Sequence, residues 1–205
     1  RDSATIGGTI ATNAGGIRVC GFGDTAAQVS AIEVVSAQGE IRWLTDPRQV
    51  AEFVGSEGTR GVITAAKLRL QKPRSAVVTA LVPCQSIDEA LVVAQSLGDC
   101  VLAAELMRGS GLGEVAQAAD LPGLPTAAWW LLVESSDAES TLPDTALVAL
   151  DGRDVARFWQ YRERHTEVIA RRSKVLKLDT QVPPHRLEQF IADVVELADG
   201  GDRHE

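Results

Sequence analysis

The residues best suited to chemistry lie in one glycine-rich run, Ala4-Thr5-Ile6-Gly7-Gly8-Thr9-Ile10-Ala11-Thr12-Asn13-Ala14-Gly15-Gly16. No Gly-Lys-Ser/Thr follows it, so it is not a Walker phosphate loop, and no strand precedes it as a dinucleotide GxGxxG fingerprint requires. It still has the composition of a cradle for a large anionic cofactor. Glycine adopts positive φ and has no Cβ in the way. Successive amides can converge on phosphate or ring oxygens. Ala11, Thr12 and Ala14 are small enough for a flat ring to lie against the backbone. A set of glycine turns with no ligand accounts for the composition equally well. Two more glycine segments follow, Gly21-Phe22-Gly23 and Gly55-Ser56-Glu57-Gly58-Thr59-Arg60-Gly61-Val62-Ile63-Thr64.

A second set is polar and lies far along the chain. Val155, Trp159, Arg162, Thr166 and Ile169 recur at helical spacing. An arginine in such a stripe must snorkel outward or meet an anion. A salt bridge to another segment would satisfy Arg162, and so would a ligand carboxylate, which a guanidinium can hold through two parallel hydrogen bonds. Lys177 shares a strand side with Val175, Asp179 and Gln181, which is either a solvated face or part of an anion site. His165 and His185 lack ligand spacing and are expected at the surface or at helix ends. Cys20, Cys84 and Cys100 form neither a disulfide framework nor a zinc pattern. No metal site is expected.

These residues need elements to position them. Residues 1 to 25 show no sustained periodicity and predict a tight loop system around a short helical turn. Residues 29 to 44 predict a hairpin turning at Gln38-Gly39. Asp46-Pro47 should break the chain, with a short helix over 49 to 54. Residues 61 to 71 predict a strand with Val62, Thr64, Ala66, Leu68 and Leu70 on one face and Ile63, Ala65, Lys67, Arg69 and Gln71 on the other. Lys72-Pro73-Arg74 marks a domain boundary, giving domains over 1–74 and 75–205. Beyond it come a strand over 76 to 82 and a helix from a capping box at Ser86 and Glu89 to Leu97, stopped by Gly98. Strands over 101 to 107 and 127 to 134, a helix over 154 to 171, a strand over 175 to 182 and a helix from Pro184 to about residue 198 complete the pattern. The second domain should be α+β, with helices on one face of its sheet.

The order and spacing of the glycine segments resemble FAD-dependent oxidoreductases of the vanillyl-alcohol oxidase type, the group that holds D-lactate, glycolate and D-2-hydroxyglutarate dehydrogenases. In that family an Ala-Thr-Ile-Gly-Gly...Asn-Ala-Gly-Gly loop packs against the flavin and its pyrophosphate, and the Gly-Ser-Glu-Gly-Thr-x-Gly-Val-Ile-Thr segment meets the FAD. The resemblance implies FAD contacts at Thr5, Ile6, Gly7, Gly8, Thr12, Asn13, Ala14, Gly15, Gly16, Phe22, Gly23, Glu57, Gly61, Val62 and Ile63. Trp159-Gln160-Tyr161-Arg162-Glu163 and Lys177-Leu178-Asp179-Thr180-Gln181-Val182-Pro183 are similar to two elements of the substrate domain, which implies that Arg162, Thr166 and Lys177 bind substrate carboxylates. The implied fold is part of a PCMH-type FAD-binding domain followed by part of an α+β FAD-linked oxidase C-terminal domain. Two features depart from the family: Phe22-Gly23 stands where Tyr-Gly is common, and the connection from Thr45 to Val54 is short.

The expected activity is FAD-dependent oxidation of a small 2-hydroxy acid by hydride transfer to flavin in a complete parent protein. Arg1 to Thr5 lead straight into the glycine motif, so the chain is expected to be cut from a longer protein. The family's N-terminal flavin subdomain, and the histidine-rich and Glu-His segments that hold a divalent metal or activate the hydroxyl, are expected elsewhere in that parent. This stretch should therefore not turn over substrate alone, and a second copy or the parent's other segments would be its partners. The alternative is a non-catalytic remnant or interaction subunit that keeps the fold without the flavin. The net charge of −8 argues against nucleic acid. No apolar run approaches membrane-spanning length, no secretory signal stands out, and the cysteine usage fits the cytoplasm.

Overall fold

The computed structural model describes residues 4–74, 77–136, 142–171 and 179–201. The chain divides into two compact units, Arg1–Ala76 and Val77–Glu205.

In the first unit, α1 (Ile6–Ala11), α2 (Val19–Phe22) and α3 (Thr25–Gln28) precede the strand β1 (Val29–Val35). Then come β2 (Ile41–Leu44), α4 (Pro47–Phe53) and β3 (Val62–Leu68). The sheet order is β2-β1-β3, antiparallel throughout. The expected hairpin is present, with Ile32 opposite Leu44 and Val35 opposite Ile41. Its turn is closed by the Gly39 amide on the Ser36 carbonyl, with Gly39 at φ +80°. Asp46-Pro47 starts a helix instead of breaking the chain. The Asp46 carboxylate accepts the Arg48 and Gln49 amides, while Pro47 occupies the first turn, where a missing N–H costs nothing.

The simple alternation expected for β3 does not hold. Glu33 pairs with Ala65 and Val34 with Ile63, so Thr64 is an extra residue, a β-bulge that flips the parity of the strand. Ile63 and Ala66 consequently share the core face, packed on Ile10, Ile32, Val34, Leu44 and Val50. The Thr64 hydroxyl donates to Glu33 Oε1 at 2.8 Å.

The second unit runs β4 (Val78–Cys84), α5 (Ile87–Ser96), β5 (Val101–Arg108), α6 (Gly109–Ala118), β6 (Trp129–Ser135), β7 (Leu147–Val148), α7 (Gly152–Ala170) and α8 (Leu187–Gly201). Its antiparallel sheet has the order β5-β6-β4-β7. Ser86 caps α5 by accepting the Glu89 amide, and the Glu89 carboxylate reaches back to the Gln85 amide. Of the strand expected over 175 to 182, residues 172–178 lie outside the described residues and 179–182 are not strand.

Helices cover both faces of this sheet, not one. Leu81, Trp130 and Leu132 pack with α6 and α7 on one face. Ala80, Val82, Leu131 and Val133 pack with α5 on the other. The near-continuous apolar runs of β4 and β6 are what a doubly covered sheet requires. No element is expected from the sequence at α6, whose glycines resemble a loop. A Cβ at Gly109 would lie 1.9 Å from the Ala127 carbonyl oxygen, and one at Gly111 would lie 2.7 Å from His165 Nε2. These glycines allow close packing, not a turn.

Gly61 sits at φ +143°, and a Cβ there would lie 2.7 Å from the Val35 carbonyl oxygen, whereas one at Gly16 would meet nothing within 4 Å. Gly61→Ala should therefore destabilise the first unit by about 1–3 kcal/mol, and Gly16→Ala should stay within about 0.5 kcal/mol of the parent. Urea unfolding followed by the Trp43 indole NMR signal checks both.

Candidate functional site

Construction of the glycine-rich site begins at Thr5. Its backbone is extended and its hydroxyl accepts the Gly8 amide at 3.1 Å, which starts α1. The short helical turn expected within the loop system is a six-residue helix, and Gly7 and Gly8 lie inside it. Neither uses positive φ. The left-handed positions are Asn13 (+48°), Gly23 (+73°), Gly55 (+77°), Glu57 (+51°), Gly58 (+80°) and Gly61 (+143°). At the far end of α1, the Ile10 carbonyl accepts the Gly55 amide at 3.0 Å and the Ala11 carbonyl accepts the Glu57 amide at 2.8 Å. Those two bonds join the first and third glycine segments.

The side chains expected at the cofactor divide into two sets. Several are committed to the loop itself. The Thr12 hydroxyl donates to the Gly8 carbonyl. The Asn13 amide donates to Asp24 Oδ2 at 2.8 Å, and its oxygen accepts the Ala26 amide at 2.8 Å. The Ala14 carbonyl accepts both the amide and the hydroxyl of Thr25. Phe22 ends α2 and is half-buried; a Cβ at Gly23 would lie 2.7 Å from Ala27 Cβ. Val62 is exposed on β3.

The other set meets in a cleft of about 300 Å³ between α1 and β3, lined by Ile6, Gly7 and Ile10 on one side and Ile63, Thr64, Ala65, Ala66 and Leu68 on the other. Ile6, Gly7 and Ile63 are the expected cofactor residues that it brings together. Ile10 was not expected there, and neither were Thr64, Ala65 and Ala66, whose placement the bulge hides from a period-two reading. The first two amides of α1, at Ile6 and Gly7, have no acceptor within the helix. Apolar walls, an edge strand and open amides suit one flat portion of a cofactor. The volume is at the small end of ligand pockets, roughly 300–1,000 Å³, so these residues fit part of a dinucleotide and not all of it. Among the described residues, no cluster of His, Cys, Asp and Glu could hold a metal ion.

In the second unit, α7 buries Phe158, Trp159, Tyr161 and Val168. Arg162 and Thr166 are exposed on the flank of that stripe, one turn apart, instead of within it. Trp159 Nε1 donates to the buried Glu134 carboxylate at 2.8 Å, which pins α7 to β6. The Tyr161 hydroxyl donates to the Pro122 carbonyl, and burial raises its pKa. Arg162 Nε approaches Glu105 Oε2 on β5 to 3.3 Å. Lys177 lies outside the described residues.

His165 is not a surface or helix-end residue. It lies within α7, half-buried, and its Nε2 is buried with no hydrogen-bond partner. Burial lowers its pKa from the ordinary 6.5, opposed by the nearby Glu114 carboxylate. Cys84 is also buried, and burial together with Glu89 raises its thiol to about 11; it is no nucleophile.

Two outcomes follow from this geometry. A histidine whose pKa is depressed by folding binds fewer protons folded than unfolded, so its neutral form supports stability above the unfolded pKa and that support fades as pH falls below it. Between about pH 7 and about pH 5 the Tm of the parent chain should drop more than that of His165→Leu. Asn13→Asp replaces the donor facing Asp24 with a carboxylate and should cost about 1–3 kcal/mol, measured by denaturant unfolding at neutral pH; a smaller loss in acid, where carboxyls are protonated, would identify the repulsion.

Residues 1–45 match the FAD binding domain, and residues 73–202 match the C-terminal domain of FAD linked oxidases. The chain is 33% identical over 224 residues to the mitochondrial D-2-hydroxyglutarate dehydrogenase of Rattus norvegicus, covering 95% of this chain and 42% of that protein. It is 30% identical to the D-2-hydroxyglutarate dehydrogenase of Xanthomonas citri pv. viticola, covering 96% and 47% respectively. A D-lactate dehydrogenase of Anaerostipes hadrus is 34% identical over 96 residues, 43% of this chain and 20% of that protein. The chain spans less than half the length of these relatives. The α+β architecture accords with both family matches. With residues 73–202 covering more than half of it, the chain belongs to the FAD-linked oxidase family.

Proposed function

We propose that this chain contributes part of the flavin site and part of the substrate site of an enzyme that oxidises a 2-hydroxy carboxylate. FAD, when bound, accepts the hydride from the substrate carbon. Residues 1–74 would hold part of it, with Ile6, Gly7 and Ile63 against a flat ring and the backbone of Gly15 and Gly16 open to an anionic portion. Thr5, Gly8, Thr12, Asn13, Ala14, Phe22, Gly23, Glu57, Gly61 and Val62 would contribute by setting the backbone that frames this surface. Residues 75–205 would hold the substrate, with Arg162 gripping a carboxylate, Thr166 adding a hydroxyl donor one turn on, and Lys177 adding a second positive charge.

The observation that carries this reading is the exposure of Arg162 and Thr166 on one flank of a helix that is anchored beneath by Trp159 and Glu134. A rigid helix presenting two donors at one-turn spacing is suited to fix a carboxylate and so orient the adjacent hydroxyl-bearing carbon. A second copy, or further segments of the parent chain, would complete the flavin site and could supply a divalent metal. Among the described residues, no helix is long and apolar enough to cross a membrane. Three free thiols suit a reducing compartment such as the cytoplasm, although the rat relative is named as mitochondrial. A non-catalytic interaction subunit is the second reading, favoured by the Glu105 carboxylate already beside Arg162.

The test is flavin reduction in the complete parent protein by D-2-hydroxyglutarate and D-lactate. Arg162→Ala should lower kcat/KM by about 10²-fold, through loss of a charge-assisted pair. A parent protein without flavin absorbance overturns the reading and favours the non-catalytic one.

A further inference from the structure

The ion pairs along α7 follow a rule that Arg162 breaks. Arg157 pairs with Asp154, and both Arg164 and Arg171, the latter just past the helix end, pair with Glu167, all at spacings of three or four. Arg162 has no such option. The residues three and four positions away are Phe158, Trp159, His165 and Thr166, none of them acidic. It reaches instead to Glu105 on another element. The nearest approach uses Nε, at 3.3 Å, while 42% of the arginine side chain remains exposed. A guanidinium ion-paired along its Nε edge leaves its terminal pair of nitrogens for a second carboxylate, which that end matches with two parallel bonds.

We infer that Glu105 is a positioning residue: it fixes the Arg162 guanidinium through Nε and leaves the terminal nitrogens to a ligand carboxylate. This rests on the proposed role of Arg162 in binding substrate. Glu105 belongs to a strand hydrogen-bonded to β6 and its side chain is only 27% exposed, so its carboxylate is a steadier anchor than one on a mobile surface. The arrangement has two opposing effects on a ligand carboxylate. It removes rotamer freedom that the arginine would otherwise lose on binding, and it places a negative charge near the incoming one. Glutamine separates them, because it keeps a polar oxygen of the same reach beside Nε but carries no charge. Alanine removes the anchor and the charge together.

The experiment uses the complete parent protein and two readouts. The first is the order of the Arg162 Nε–H vector by 15N relaxation without ligand. The second is the affinity for D-2-hydroxyglutarate by calorimetry. Arg162 Nε should be ordered in the parent and in Glu105→Gln, and mobile in Glu105→Ala. Affinity should be retained or improved in Glu105→Gln and about fivefold weaker in Glu105→Ala, the scale of one part-exposed ion pair. A mobile Nε in the parent overturns the inference whatever the affinity. Equal or tighter binding by Glu105→Ala also overturns it, making Glu105 a competitor for the arginine. An ordered Nε that depends on Glu105, with no hydroxydicarboxylate binding, overturns ligand positioning and the use of Arg162 for this substrate while leaving the anchoring contact intact; loss of binding in Arg162→Ala upholds the use of Arg162.

Discussion

At the end of α1 the Ala11 carbonyl has no partner inside the helix, and the Ile10 carbonyl accepts the Asn13 amide just beyond it and keeps a second lone pair. They take the amides of Glu57 and Gly55 respectively, from a segment more than forty residues later in the chain. The geometry of the first unit depends on this clasp. For those amides to turn toward α1, Gly55 and Glu57 must both adopt left-handed backbone, and they do, at +77° and +51°. The following residues then deliver Gly61 to a place where only a glycine fits beneath the Val35 carbonyl, and β3 begins at Val62. The bulge at Thr64 turns Ile63 toward the core, where it can line the cleft opposite Ile6 and Gly7. The cleft is therefore a product of the clasp. Asn13 supports it from the other side, spending its side chain on Asp24 and Ala26 instead of on a ligand.

The second unit uses a different constraint, a sheet buried on both faces. Such a sheet needs helices on both sides, and α7 must lie close to it. The bond from Trp159 to Glu134 does this with a carboxylate that is 1% exposed. Burying a carboxylate is costly without hydrogen bonds, so this contact is specific to one docking of α7 on β6. That docking sets the flank on which Arg162 and Thr166 emerge. Gly111 beneath His165 and Gly109 beneath the Ala127 carbonyl allow α6 to sit equally close. The unpartnered Nε2 of His165 is the one polar atom on the described side chains that this close packing leaves unsatisfied.

Much of this was legible in the sequence where local chemistry decides structure. The Ser86 cap, the hairpin turn at Gly39 and the helical pattern of α7 depend on neighbours a few residues away. What failed depended on distant groups. Asp46-Pro47 can end one element or begin the next, and the residues after it decide. Gly7 and Gly8 look like turn residues, yet the Thr5 cap makes them helical. Gly109 and Gly111 look like a loop because the atoms that require a missing Cβ are Ala127 O and His165 Nε2. The bulge at Thr64 defeated a face assignment that assumed strict alternation. At the candidate sites, the types of residue were readable but the contacts that surround them were not. The choice of Glu105 as the neighbour of Arg162 depends on the pairing of β5 with β6 and the docking of α7.

That last contact bears on how the proposed carboxylate site would be built on an exposed helix. A free arginine on a solvated flank has roughly 2 kcal/mol of side-chain entropy to lose on binding, comparable to what one charge-assisted hydrogen bond returns. A guanidinium already held along one edge has lost part of that freedom during folding. The cost is then carried by the fold, where the buried apolar contacts of Phe158, Trp159 and Tyr161 offset it, and not by the ligand. A carboxylate partner at Nε makes the same pair less attractive to anions in general, because the local charge is partly balanced. Recognition shifts from charge toward geometry, favouring a ligand whose two oxygens match the terminal nitrogens and whose next donor position falls at Thr166, one turn away.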